Sequence, residues 1–314
     1  MRRVTVAAAC LALMALPVPG AAAELRVPWT FDISQQALEP NAPPPGSNDW
    51  SCKPTKRHPR PVILVHGLLA NRTVNFPTLS PFLANRGFCV FALTYGTRPE
   101  LNLGVYRPGG LVRMEGSALK LKRFVARVLK KTGARRVDIV GHSEGSLMPN
   151  YYVKFLGGRK QVAKYVGVTP LWNGTNLVGA ADLAALGKPF GLDSVVFELL
   201  EPLCASCEQF IRGSEFLELI NRGRTGPRVR GVKYTMIMTR NDELVVPYTS
   251  GFMRGAKNVV VQDVCALDQS EHLSIIFDPV TAYTILNALD PRHPQPVPCV
   301  PVLPGLGAVG YSGN

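Results

Sequence analysis

Short, mostly apolar runs, the first of them continuous, alternate with longer stretches of helical period through most of this chain. The apolar runs lie at 61–65, 88–93, 137–140, 165–168, 234–238 and 258–263. Helical patterns fill 76–85, 111–131, 143–155 and 280–289. An apolar run without polar alternation is the mark of a strand buried on both faces. Such strands separated by helices predict a mostly parallel central sheet with helices on both sides. The rhythm stops between 171 and 230. That insert is apolar but irregular, and large inserts between sheet elements commonly line binding sites. It is expected to cap a greasy pocket.

The two ends read differently. Arg2 and Arg3 precede an apolar stretch over 4–16, then Pro17 to Gly20 and three alanines. That order predicts a secretory signal peptide over 1–23, too short to be a permanent membrane span. Residues 24–60, rich in Pro, Asn and Ser, read as an extended arm on a large α/β domain at 61–314. Of 35 basic residues two leave with the leader, so 33 face 22 acidic ones, a balance of +11. The basic residues are scattered apart from short clusters at 120–131 and 222–230, and no nucleic-acid motif accompanies them. Cys10 also leaves. The remaining six cysteines, an even number in an exported chain, favour disulfides over metal or free thiols. Chain proximity pairs Cys52 with Cys89, Cys204 with Cys207, and Cys265 with Cys299.

The third apolar run ends directly in Gly141-His142-Ser143-Glu144-Gly145. This G-x-S-x-G pattern is common by chance, but here it follows a strand and opens a helix, as a nucleophile elbow must. The tight turn lifts the serine oxygen above the sheet and sets it at a helix N-terminus, which favours developing negative charge. Side chains at the flanking glycines would collide with neighbouring strands.

A serine nucleophile needs a base. His142 belongs to the elbow, His66 sits at a strand end, His58 lies in the arm and His293 among tail prolines. His272, between the last strand and the last helix, alone fits the chain order Ser…Asp…His. The orienting acid should follow a strand between the two. Asp242 lies just past the run at 234–238; Glu243 is the second choice, and Asp263 and Asp268 are weaker. An oxyanion hole needs two backbone N–H groups. Glu144, after the nucleophile, supplies one, and Leu68, beside Gly67 in the loop after the first run, the other.

The segments Pro-Val-Ile-Leu-Val-His-Gly, Val-Asp-Ile-Val-Gly-His-Ser, Asn-Asp-Glu-Leu-Val-Val-Pro and Glu-His-Leu resemble secreted bacterial lipases of the class-two lipase family. The resemblance implies an α/β-hydrolase fold and hydrolysis of carboxylic esters, often acylglycerols. It supports Ser143, Asp242 and His272 as a triad, with Leu68 and Glu144 as oxyanion donors. Two positions depart from the pattern. Glu144 stands where relatives often carry Gln or Met, and Ser146 where they often carry Gly. A carboxylate beside a developing oxyanion is unfavourable unless it turns away or is paired. No metal or other cofactor is expected, since no acidic loop has Ca²⁺ spacing. The expected partners are an ester or lipid substrate and, transiently, a lipid interface; the expected state is a secreted monomer. Acyl transfer or polyester cleavage would use the same residues, and a catalytically silent binding protein would usually lack one of the three.

Overall fold

The computed structural model describes residues 23–32, 34–176 and 202–313. The expected leader, but for its last residue, and the middle of the expected cap, 177–201, lie outside them. The apolar runs form one six-stranded sheet: β1 Val62–Val65, β2 Val90–Leu93, β3 Val137–His142, β4 Val162–Val168, β5 Lys233–Met238 and β6 Lys257–Val260. The α-helices of the described residues are α1 Ser34–Leu38, α2 Arg72–Asn75, α3 Leu79–Ala84, α4 Met114–Thr132, α5 Glu144–Phe155, α6 Glu215–Asn221, α7 Val261–Val264 and α8 Pro279–Leu289. The strand order is β2-β1-β3-β4-β5-β6, and every pairing is parallel. The chain therefore goes out from β1 to β2 and returns to the other side of β1. The reversal leaves a crevice at the carboxyl ends of β1 and β3, where open α/β sheets place their ligands.

Side-chain alternation divides the strands between two cores. Ile63, Val65, Phe91, Leu93, Ile139 and Tyr165 face α4 and α5. Val62, Leu64, Val90, Ala92, Val140 and Val166 face α3 and α8. All four residues of β1 are wholly buried, as a strand covered on both faces requires. Helix α4 buries Ala118, Leu121, Val125 and Val128, a three-and-four spacing, and turns its lysines and arginines outward. Gly133 ends it in the left-handed region, φ 74°, donating to Leu129 O. Helix α8 opens on Asp278, whose carboxylate accepts from Val280 N and Thr281 N, with Pro279 in the first turn.

Three of the boundaries that differ from the sequence reading have a local reason or consequence. The helix expected over 76–85 starts only at Leu79, as α3, with the separate short α2 ending at Asn75. Pro77 is the reason: the residue before a proline is driven out of the helical region, and Phe76 sits at φ −131°, ψ 33°. The fourth strand starts earlier, at Val162, and admits Lys164, whose Nζ reaches Leu289 O. The sixth ends at Val260, and the next four residues close as the helical turn α7.

The arm covers the β2 edge. Asn48 N donates to Val90 O at 2.9 Å, and its side chain exchanges hydrogen bonds of 2.8 and 2.9 Å with the Ala92 backbone. That pairing removes an open strand edge. The three disulfides join Cys52 to Cys89, Cys204 to Cys207 and Cys265 to Cys299. The first ties the arm to the start of β2. The last ties the C-terminal tail to the segment after β6. No helix among the described residues is long and apolar enough to cross a membrane.

Candidate active site

Strand β3 runs into Ser143 and α5 begins at once with Glu144. Ser143 takes φ 55°, ψ −126°, a conformation rare for a residue with a side chain and worth on the order of 1–3 kcal/mol of strain. The surroundings hold it there: Ser143 N donates to Val168 O at 2.9 Å, and Ser146 N to Ser143 O at 2.7 Å. Gly141 and Gly145 make the turn feasible. A Cβ on Gly141 would lie 1.8 Å from Gly145 O, and one on Gly145 2.2 Å from Val65 O.

His272 lies between β6 and α8, 129 residues on from the serine, with its ring buried against it. Its Nε2 is 2.9 Å from Ser143 Oγ and its Nδ1 2.9 Å from Asp242 Oδ1. Asp242 follows β5. Its Oδ1 also accepts from Leu244 N at 3.0 Å and Val245 N at 2.7 Å, which fixes the carboxylate. A carboxylate only accepts, so Nδ1 carries a proton and the neutral ring leaves Nε2 free to accept from the serine hydroxyl. Glu243, the second choice for the acid, does something else: its Oε2 lies 3.3 Å from His272 N and accepts from the main chain. Asp263 pairs with Arg240, and Asp268 accepts from Ser270 N. The imidazole takes its carboxylate partner from Asp242 instead.

Leu68 follows β1 in the loop His66–Ala70, beside the elbow. Asn75 Oδ1 takes the Gly67 N–H at 2.9 Å, while Leu69 N and Ala70 O exchange hydrogen bonds with Gly109. Neither Leu68 N–H nor Glu144 N–H donates to any partner among the described residues. Both residues line the same cleft as Ser143, so two unspent backbone donors lie in its surroundings.

His142, which the sequence reading set aside, and Asn75, which it did not consider, also touch the site. His142 Nε2 is 2.9 Å from His272 O, so the elbow histidine holds the backbone of the base. Burial drives its pKa down to about 3, which makes it a neutral donor. Asn75 touches both Gly67 N and His142 Nδ1 and thereby links the loop after β1 to the elbow. No pattern in the sequence singles out Asn75, because its role depends on α2 ending beside the sheet crevice.

The Glu144 side chain turns away from the serine into the protein. It is 1% exposed, with Oε1 3.1 Å from Tyr95 Oη and Oε2 3.3 Å from Ser206 Oγ. A carboxylate in the first helical turn gains about 0.3–2 kcal/mol from the helix dipole, whereas burying one without a cation costs several kcal/mol. Burial wins, and the pKa rises to about 8 against the two hydroxyl contacts that oppose it. Nearby His66 is likewise neutral, pushed down to about 4 by burial; Nδ1 faces Gly67 O at 2.8 Å and Nε2 accepts from Tyr95 N at 3.2 Å.

Above the serine opens a cleft of about 510 Å³ lined by apolar groups, among them Leu68, Leu171, Phe210, Val245 and Ile276. Leu69, Leu244, Leu273 and Phe31 also line it and are exposed at 37–54%. A cleft of that size and character suits an acyl chain.

The chain is also similar to known proteins. Residues 59–284, most of the chain, match the lipase (class 2) family. The chain belongs to the class 2 lipases. The fold is shared with lipase B of Aspergillus fumigatus, 19% identical with a TM-score of 0.59 over 90% of this chain. It is shared also with the mature form of a Bacillus licheniformis lipase, 14% identical with a TM-score of 0.52 over 80% of this chain and 96% of the bacterial one. The chain spans 64% of the length of the fungal lipase. Both solved structures share the α/β-hydrolase architecture seen here.

Proposed function

We propose that this enzyme is a secreted serine esterase or lipase working through Ser143, His272 and Asp242. His272 takes the hydroxyl proton as Ser143 Oγ attacks the ester carbonyl carbon. Asp242 holds the tautomer and stabilises the imidazolium that forms. The Leu68 and Glu144 N–H groups receive the oxyanion of the tetrahedral intermediate. His272 then gives the proton to the leaving alcohol. Water, deprotonated by the same imidazole, releases the acid from the acyl-enzyme.

One observation carries this reading: a single imidazole lies 2.9 Å from a strained serine and 2.9 Å from an anchored carboxylate. The apolar cleft above it supports an acyl chain as the bound group, and the exposed Leu69, Leu244 and Leu273 at its mouth support a transient lipid-interface contact. Export is supported by the leader-like pattern at 1–23 and by three disulfides. Ser143→Ala should fold normally and lose on the order of 10⁴- to 10⁶-fold in kcat on p-nitrophenyl esters. It should also fail to label with a fluorophosphonate probe that labels the parent. Near-normal turnover in that variant would remove Ser143 from the mechanism.

A further inference from the structure

Glu144 presents a problem of proton counting. Its two oxygens face two hydroxyls, Tyr95 Oη and Ser206 Oγ, and each hydroxyl has one proton to give. Each also faces a main-chain carbonyl. Tyr95 Oη is 2.9 Å from His66 O, closer than its 3.1 Å to Glu144. Ser206 Oγ donates to Gly110 O at shorter range than its 3.3 Å to Glu144. If both hydroxyls serve the carbonyls, a carboxylate receives neither proton and lies buried without a donor. A carboxylic acid resolves this by donating its own proton to a hydroxyl oxygen. No lysine or arginine among the described residues forms an ion pair with Glu144.

We propose that Glu144 works as a neutral carboxylic acid, and that losing its proton switches off the oxyanion hole formed around its own backbone N–H. The inference rests on the triad reading above. Glu144 is here a positioning residue, since its side chain touches no reacting atom. It is wedged under the oxyanion loop: a Cβ on Gly110 would lie 3.1 Å from its Oε2 and 3.0 Å from the Leu68 Cα. Ionisation acts in two ways. It sets a negative charge within one residue of the developing oxyanion, and it draws the Tyr95 and Ser206 hydroxyls off His66 O and Gly110 O, the carbonyls that frame Leu68. In a medium of effective dielectric about 20, a like charge at that range slows the reaction on the order of ten- to a hundredfold.

The groups facing Glu144 leave it as the one that changes in mildly alkaline solution. Tyr95, from the loop after β2, is pushed well above the ordinary tyrosine range by burial, and Tyr165, from β4, likewise. His66 and His142 are already neutral. Lys120 on α4 is half-buried, which holds its own pKa below the ordinary lysine range, and its charge in turn lowers that of His66; it makes no ion pair with Glu144. Ser206 belongs to the loop closed by the Cys204–Cys207 disulfide, which docks through Ala205 N to Leu111 O at 2.9 Å. That small loop thereby holds a hydroxyl against Glu144.

The test is the pH profile of kcat from about pH 6 to about pH 10, normalised to its maximum, for the parent, Glu144→Gln and Ser206→Ala. The parent should fall from its maximum to a plateau about ten- to a hundredfold lower as pH rises through a midpoint near 8, titrating as one proton. Glu144→Gln, which cannot ionise, should lack that limb. Ser206→Ala removes a donor to the ionised form and should move the limb to higher pH; it carries the test if Glu144→Gln does not fold. The infrared difference spectrum, parent minus Glu144→Gln, should show a protonated carboxyl C=O band at about pH 6.5 that vanishes at about pH 9.5. Recorded on a Ser143→Ala background, that band reports Glu144 without turnover, so failure of the triad reading and failure of this one are separable. The same limb in Glu144→Gln, a flat profile in the parent, or no acid band would each overturn the proposal.

Discussion

Gly145 has no side chain because there is nowhere to put one: a Cβ there would lie 2.2 Å from Val65 O and 2.3 Å from His66 O. Both contacts are with backbone of β1 and its exit, which cannot yield without moving the oxyanion loop. Gly145→Ala should therefore fail to give soluble protein or lose most activity, as expression yield and circular dichroism will report. Asp242 offers a cleaner residue-level test. Asp242→Asn keeps an acceptor for Leu244 N and Val245 N but permits the wrong imidazole tautomer, so kcat should fall on the order of 10⁴-fold with little change in melting temperature. Glu144 also leaves a signature in stability. Its carboxyl titrates at about 8 when folded, above the ordinary 4.5, so the unfolded chain releases a proton that the folded one retains. Its contribution is fully present below about pH 4.5 and is lost as pH rises towards about 8, at roughly 1.4 kcal/mol per pH unit. Urea denaturation of the parent and Glu144→Gln at several pH values should show the two diverging with that sign.

At the scale of elements, the site depends on the helices that cover the sheet around its crevice. Helix α4 lays Leu121, wholly buried, against the core shared with α5, while Leu119 on its outer side is 44% exposed. Leu121→Ala should cost about 2–5 kcal/mol through lost burial and the cavity left behind. Leu119→Ala should stay within about 0.5 kcal/mol. Chemical denaturation distinguishes them, and both should keep kcat, since neither lines the cleft. The elements also show what periodicity can and cannot deliver. Each of the six mostly apolar runs contains a strand, although the sixth turns helical after Val260. The helix expected from 76 starts only at Leu79, because at Phe76-Pro77 a local steric rule outweighs the apolar pattern.

For the whole molecule, the arm and tail are held on from outside the sheet. Trp29 packs edge-on against Phe82 and Tyr311, and Trp29 O accepts from Ala308 N at 2.8 Å. Cys265–Cys299 closes a loop with a sequence separation of 34, and Cys52–Cys89 one of 37. Loops of that length constrain the unfolded chain by about 3–4 kcal/mol each in the chain-entropy account. Replacing Cys265 and Cys299 together by serine should lower the melting temperature measurably while the variant retains the triad geometry. Heating scans with and without reductant will show whether reduction of the parent reproduces the effect.

The sequence alone was enough for the alternation of strands and helices, the tight strand-to-helix turn at Ser143, and the cysteine pairs, which follow chain proximity. Each of these is local: a run, a motif or a spacing carries it, and the physics acts over a few residues. What separates Asp242 from Glu243, neighbours with the same chemistry, belongs to the tertiary structure: the turn after β5 aims one carboxylate at the ring and the other at the main-chain N–H of His272. Tertiary structure decided that the Glu144 side chain points inward to Tyr95 and Ser206, partners 49 and 62 residues away in the chain. It also gave His142 and Asn75 their parts in the site. A side chain's protonation and its partners depend on what the folded chain brings against it, and no pattern along the sequence records that.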